Sequence, residues 1–163
     1  MRRVYLPTTL AGLAAAHGSG VLTGPSVAHA VTAAVREWYV EGDTEELEYV
    51  ALTEAAEASL RLLADDPDVP RRRVVVAADV PETDVLDVAD ARFRSAVAVA
   101  VDVPVGAVAS VHVDEDTAVR TVAEAIIALP AADAGDDDAR FALDEAEAVE
   151  LLWYDVSELG DLV

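Results

Sequence analysis

Arg71-Arg72-Arg73-Val74-Val75-Val76-Ala77-Ala78-Asp79-Val80-Pro81 is the stretch from which the fold is read. Val74 to Val80 is apolar and largely β-branched, without the polar alternation of a strand that has one wet face. It is therefore predicted to be a central strand, covered on both sides. A related run, Ser95 to Pro104, also closes on Asp-Val-Pro and predicts a second such strand over Ala96 to Val103. Pro104-Val105-Gly106 reads as a turn and Val108 to Val113 as a third strand.

Upstream, Arg2 to Leu6 reads as a short strand ended by Pro7. Thr8 or Thr9 then caps a helix over Leu10, Leu13 and Ala14, which Gly18 and Gly20 stop, and residues 18–26 form a loop. From Ala28 the apolar residues Val31, Ala34, Val35 and Trp38 recur at helical spacing, which puts His29, Thr32 and Arg36 on the other side of one helix. Gly42-Asp43-Thr44 ends it and caps the next, whose apolar line is Tyr49, Leu52, Ala56, Leu60 and Leu63, with Glu57 and Arg61 paired at i and i+4. Asp65 to Pro70 is a break.

Downstream of the first strong strand, Pro81 to Ala91 reads as a polar connection. Asp114 to Thr117 caps a helix on Val119, Val122, Ile126 and Leu129, which Pro130 stops. Residues 131–138 form an acidic loop leading into a helix over 139–146. Leu151 to Tyr154 is a last strand, and Ser157 to Leu159 a last turn. The order predicts one α+β domain over residues 1–163. Its mixed sheet has about five strands and helices packed against it, and stripping the extra helices leaves an elaborated ferredoxin-like βαββαβ plan.

Composition bounds the function. The chain has 163 residues and a formal net charge of −21, with no Cys. Lys, Asn and Gln are also missing from the sequence. Ala, Val, Asp and Arg abound, which is the amino-acid output of a GC-rich genome. The charge opposes binding to phosphate backbones and to anionic membranes, so neither nucleic acid nor membrane is expected as a partner. It favours solubility, and a halophilic origin fits it too. Without Cys there is no disulfide, thiolate metal site or Cys nucleophile. Arg2-Arg3 followed by apolar residues imitates a secretory leader, but Pro7-Thr8-Thr9 interrupts it, so the segment is read as structure and the protein as cytoplasmic.

Six phrases in order carry a resemblance. They are Arg3-Val4-Tyr5-Leu6-Pro7; Ala28-His29-Ala30-Val31-Thr32; Glu45-Glu46-Leu47-Glu48-Tyr49 leading to Ala58-Ser59-Leu60; Arg73-Val74-Val75-Val76 through Asp79-Val80-Pro81; Val111-His112-Val113-Asp114; and Leu151-Leu152-Trp153-Tyr154. Over nearly its full length the chain resembles a family of small actinobacterial proteins known only as a domain of unknown function. The resemblance implies an actinobacterial source and transfers no activity, ligand or catalytic residue.

Candidate chemistry is sparse. His29, beside Arg36, Trp38 and Tyr39, is a base or ligand contact on one reading and a surface histidine on the other. His112 and Asp114 sit two apart, so both leave one strand face, and a carboxylate beside an imidazole is a working acid–base element. The competing reading makes Asp114 a helix cap. His17 reads as a partner of a helix C-terminus. No nucleophile elbow, phosphate loop or dinucleotide fingerprint is present. Asp133, Asp136, Asp137 and Asp138 do not follow a calcium-loop spacing, so no metal and no cofactor is expected. Trp38, Tyr39, Trp153 and Tyr154 are aromatic anchors for a pocket or an interface, or else core. The Arg71 to Arg73 cluster neutralises Asp65 to Asp68, unless it points into a cleft at the strand's start, where it would be the chain's leading anion contact. The expected function is that of a protein-interaction or regulatory module with a protein partner or as a homodimer. The alternative is a small enzyme or ligand-binding protein with a cleft near Trp38 and Tyr39 or near His112 and Asp114.

Overall fold

The computed structural model describes residues 1–24 and 26–163. Pro25, in the loop expected over 18–26, lies outside the described residues. The elements are β1 (Arg2–Thr8), α1 (Leu10–Ser19), β2 (Val21–Leu22), β3 (Ser26–His29), α2 (Ala33–Trp38), α3 (Thr44–Asp65), β4 (Val74–Val80), β5 (Val85–Asp87), β6 (Ala96–Val99), β7 (Val103–Pro104), β8 (Val108–Val113), α4 (Val119–Asp133), α5 (Asp137–Ala148), β9 (Leu152–Asp155) and α6 (Leu159–Leu162).

Seven strands form one sheet in the order β5-β6-β3-β1-β4-β8-β9, and β2 pairs with β7 separately. The α+β class holds, with a sheet larger than the five strands expected. Each pairing is antiparallel. A split βαββαβ plan sets two parallel strands side by side, so that plan and the mixed sheet are not what the chain adopts. Instead β1 runs against β4 over its whole length, from Arg2 opposite Val80 to Thr8 opposite Val74. The segment that imitates a leader is thus the middle strand of the sheet.

The pleat decides what each face meets. Even positions of β1 and β4, namely Val4, Leu6, Val74, Val76, Ala78 and Val80, pack with Leu13 of α1 and Leu159 of α6. Odd positions Tyr5, Val75 and Ala77 pack against Ala51, Ala55 and Ala56 of α3. Val74, Val75 and Val76 are completely buried, as the unbroken apolar run predicts. Each contributes about 1.5–3 kcal/mol through removal from water. Behind α3, helices α4 and α5 close a second cluster around Leu60, Leu63, Val122, Leu129 and Leu143.

Local chemistry accounts for the helix ends. Thr9 Oγ1 accepts from Gly12 N at 3.1 Å, and Gly20 closes α1 with φ at 81°, which favours glycine. Asp43 and Glu46 form a reciprocal capping box at the start of α3. Ser59, buried on α3, donates to Thr8 O at 2.7 Å and accepts from Val74 N at 3.0 Å, joining the helix to β1 and β4.

Four expectations fail for identifiable reasons. The second strong strand, expected over Ala96 to Val103, stops at Val99, and Val103 pairs instead with Leu22 of β2 in the separate small sheet. Ala28 and His29 are strand, not helix: they pair with β6, and His29 also pairs with Tyr5 of β1, so sheet pairing overrides the local pattern. Thr32 belongs to α2 as its cap, accepting from Val35 N at 3.2 Å. Pro130 sits inside α4 near its C-terminus, where the helix continues to Asp133. The segment 81–91 holds β5, too short for a periodic signal.

Candidate functional site

His29 is fully buried, not a surface helix residue, because it lies on the sheet face that α3 covers. Its Nδ1 is 2.8 Å from Ser95 Oγ. Ser95 N donates to Glu54 Oε2 at 2.9 Å, and Ser95 Oγ makes a short bond to the same oxygen. A hydroxyl has one hydrogen, and here Glu54 takes it, so the Ser95 oxygen accepts from His29 Nδ1–H. Nε2 is then a bare lone pair, and among the described residues it has no partner. Phe93 stands edge-on to the ring at 5.0 Å. Burial lowers the imidazole to about 4, against a small upward pull from Asp90. The ring is neutral and enclosed.

His112 and Asp114 do not form a pair. His112 Nε2 lies 3.0 Å from Ser110 Oγ, and burial, then the charge of Arg3, lowers its pKa. Asp114 is fully buried and falls one residue beyond β8, so strand alternation does not reach it. It caps nothing: a 3-10 turn at Asp116–Ala118 leads into α4 without a side-chain cap. Its carboxylate instead accepts from Arg73 N (2.8 Å), Arg73 Nε (2.8 Å) and Arg73 Nη2 (2.7 Å). The arginine cluster is not spent on the Asp65 to Asp68 carboxylates. Arg71 donates to Leu63 O and Asp66 O at the end of α3, and Arg72 Nε donates to Asp114 O. Cations at a helix C-terminus answer its negative dipole end.

Arg73 borders a cavity of about 150 Å³ between α3, α5 and the chain entering β9. Leu52, Ala56, Leu60, Leu143 and Leu151 form its apolar walls, with Tyr49, Thr53, Glu57, Glu147 and Glu150 as polar lining. Glu57 lies 3.6 Å from Arg61 and 3.8 Å from Arg140. Glu147 is 4.0 Å from Arg140. Burial raises the Glu147 carboxyl, and the charges of Glu57 and Asp144 add to it against Arg140. The sequence pattern missed this lining because Tyr49 and Leu52 scan as core; Tyr49 is in fact 55 % exposed. Pleat parity gives the usable signal: Arg73 shares its face with Val75, which α3 covers.

A second hollow lies where α2 meets α3, lined by Trp38, Tyr39, Val40, Glu41, Glu46, Leu47 and Val50. Trp38 is 62 % and Val40 83 % exposed. Arg94 stacks on the Trp38 ring at 3.7 Å, and Arg36 is exposed on α2. Trp153 is exposed on edge strand β9, while Tyr154 turns inward against the α1 side. Neither hollow is lined by both tryptophans. His17 lies in the last turn of α1, as its spacing predicts.

Among the described residues, no group of three or more His, Asp or Glu is placed to hold a metal ion. No helix among them is long and apolar enough to cross a membrane. The chain belongs to DUF6912, a family of unknown function, whose family model matches residues 2–163. Neither the comparison with curated proteins nor that with solved structures gives a match.

Proposed function

We propose that this member of DUF6912 is a protein-interaction module, cytoplasmic in setting, that docks a partner on the α2–α3 surface. The observation that carries the proposal is the exposed group Trp38, Tyr39 and Val40 around a hollow. Large apolar side chains left in water beside a polar rim are the usual mark of an interaction surface, and tryptophan is the commonest anchor. Arg94 holds the Trp38 ring through its face, so the anchor is ordered before a partner arrives, which lowers the entropy lost on docking. Glu41 and Glu46 in the rim, on a chain of net charge −21, favour a basic partner over a second copy.

The test is a photo-crosslinking residue at position 40 in cells of the source organism. A discrete adduct to a basic protein is expected, and Trp38→Ser is expected to reduce it at least about tenfold, as loss of an interface anchor does. The same probe at Ile127, 81 % exposed on α4, is the control. No adduct, an adduct unchanged by Trp38→Ser, or the same adduct from position 127 refutes the proposal.

A further inference from the structure

The cavity between α3 and α5 contains hydrogen-bonding capacity that the fold does not use. Arg73 is 3 % exposed. Its Nε–H goes to Asp114, and its Nη2 hydrogens go to Asp114 and to Val149 O at 3.0 Å. Guanidinium has five N–H groups. The two on Nη1 have no partner among the described residues, and Val149, which Nη2 reaches, is itself part of the cavity lining. That places the free nitrogen at the cavity wall. Nη1 is not among the enclosed atoms that lack a partner, so its hydrogens open onto the cavity, where an acceptor oxygen can take the place of water.

Charge then narrows the ligand. Asp114 already neutralises Arg73, and Glu57, Glu147 and Glu150 stand around the cavity, with Arg61 and Arg140 reaching only the first two. A simple anion meets excess negative charge here. A cation that also carries an acceptor oxygen matches both ends. A void of about 150 Å³ takes a body the size of benzene, and Leu52, Leu60 and Leu143 make an apolar one favourable.

We propose that this cavity binds a small primary amine with an apolar body and a carbonyl or carboxylate oxygen, the chemistry of an apolar amino acid or its amide. The oxygen meets Arg73 Nη1, the body lies on the leucines, and the ammonium sits among Glu57, Glu147 and Glu150. The site is separate from the α2–α3 surface and stands or falls without it.

Four probes with the same isobutyl body test the assignment by calorimetry on the full chain: L-leucinamide, L-leucine, 3-methylbutylamine and 4-methylpentanoate. The first two are expected to bind, and the last two at least about tenfold more weakly, the loss of one hydrogen-bonded or charged contact. Arg73→Lys keeps a charge beside Asp114 and removes Nη1, and it is expected to abolish the preference for leucinamide over 3-methylbutylamine. Glu147→Gln, at an exposed position that does not threaten folding, is expected to weaken leucinamide at least about fivefold. Trp38→Ser is expected to change nothing. No binding of leucinamide up to about 10 mM, equal binding of all four probes, or full affinity in Glu147→Gln overturns the assignment.

Discussion

Acid sensitivity set by His29 is the sharpest consequence of the chain that runs from half-buried Glu54 through Ser95 to the enclosed His29 ring. In the unfolded chain the imidazole titrates at its ordinary value of 6.5, and in the fold burial lowers it to about 4. The unfolded state therefore binds the extra proton between these values, and stability rises with pH there. The contribution is fully present above pH 6.5, is lost as pH falls from 6.5 toward 4, and levels off below. A gap of about 2.5 at about 1.4 kcal/mol per pH unit sets a ceiling of about 3.4 kcal/mol, of which about 2.5 kcal/mol falls between pH 7.5 and 4.5. Full burial of the ring leaves solvent no part in screening it. The other acidic groups titrate in the same range, so the measurement is a difference. Urea denaturation at pH 7.5, 6.5, 5.5 and 4.5 is followed for the wild type and for His29→Leu, which keeps the apolar contact with Phe93. The wild type is expected to lose about 2.5 kcal/mol more than the variant over that range. Parallel stability curves within about 0.5 kcal/mol, or an NMR titration of the His29 ring near 6.5, refute the reasoning.

Two further outcomes test how the sheet is held. Asp114→Asn leaves the Arg73 guanidinium buried without its counter-charge and is expected to cost about 3–5 kcal/mol in urea denaturation, with little response to salt because both partners are enclosed; an unchanged midpoint refutes it. Ser59→Ala strips a partner from both Thr8 O and Val74 N, and a loss of about 1–3 kcal/mol is expected, with faster amide exchange at Val74 as its signature.

The Val74 to Val80 strand was legible because its evidence is local: no polar residue interrupts the run before Asp79. Its neighbour was not. The central place of β1 depends on a register with residues about seventy positions away, and Arg2, Arg3 and Pro7 argue locally against a buried strand. Arg3 answers by pairing with Asp79 across that register at 2.7 Å, a contact no short window reveals. The Ala28-His29 error has the same origin, since strand pairing on both sides outweighs a helical spacing that truly begins at Ala33. At the candidate sites, residue type was legible and exposure was not. Trp38 and Tyr39 stand out as aromatic in any reading, yet whether they face water depends on how α2 meets α3.

The three arginines before β4 show where fold and site part company. Arg71 ends α3 by bonding its last carbonyls, and Arg72 holds the start of the β8–α4 connection. Either task could be met by any long cationic side chain. Arg73 differs because the clamp on Asp114 and Val149 uses only three of its five hydrogens. A lysine would give Asp114 its counter-charge and leave no fixed fork at the cavity. The two Nη1 hydrogens open onto the cavity, where water can meet them, so they add nothing to the hold of β4 on β8. Stability therefore accounts for a cation at position 73 but not for the surplus nitrogen, and that surplus, placed on a small apolar cavity, is what binding would use.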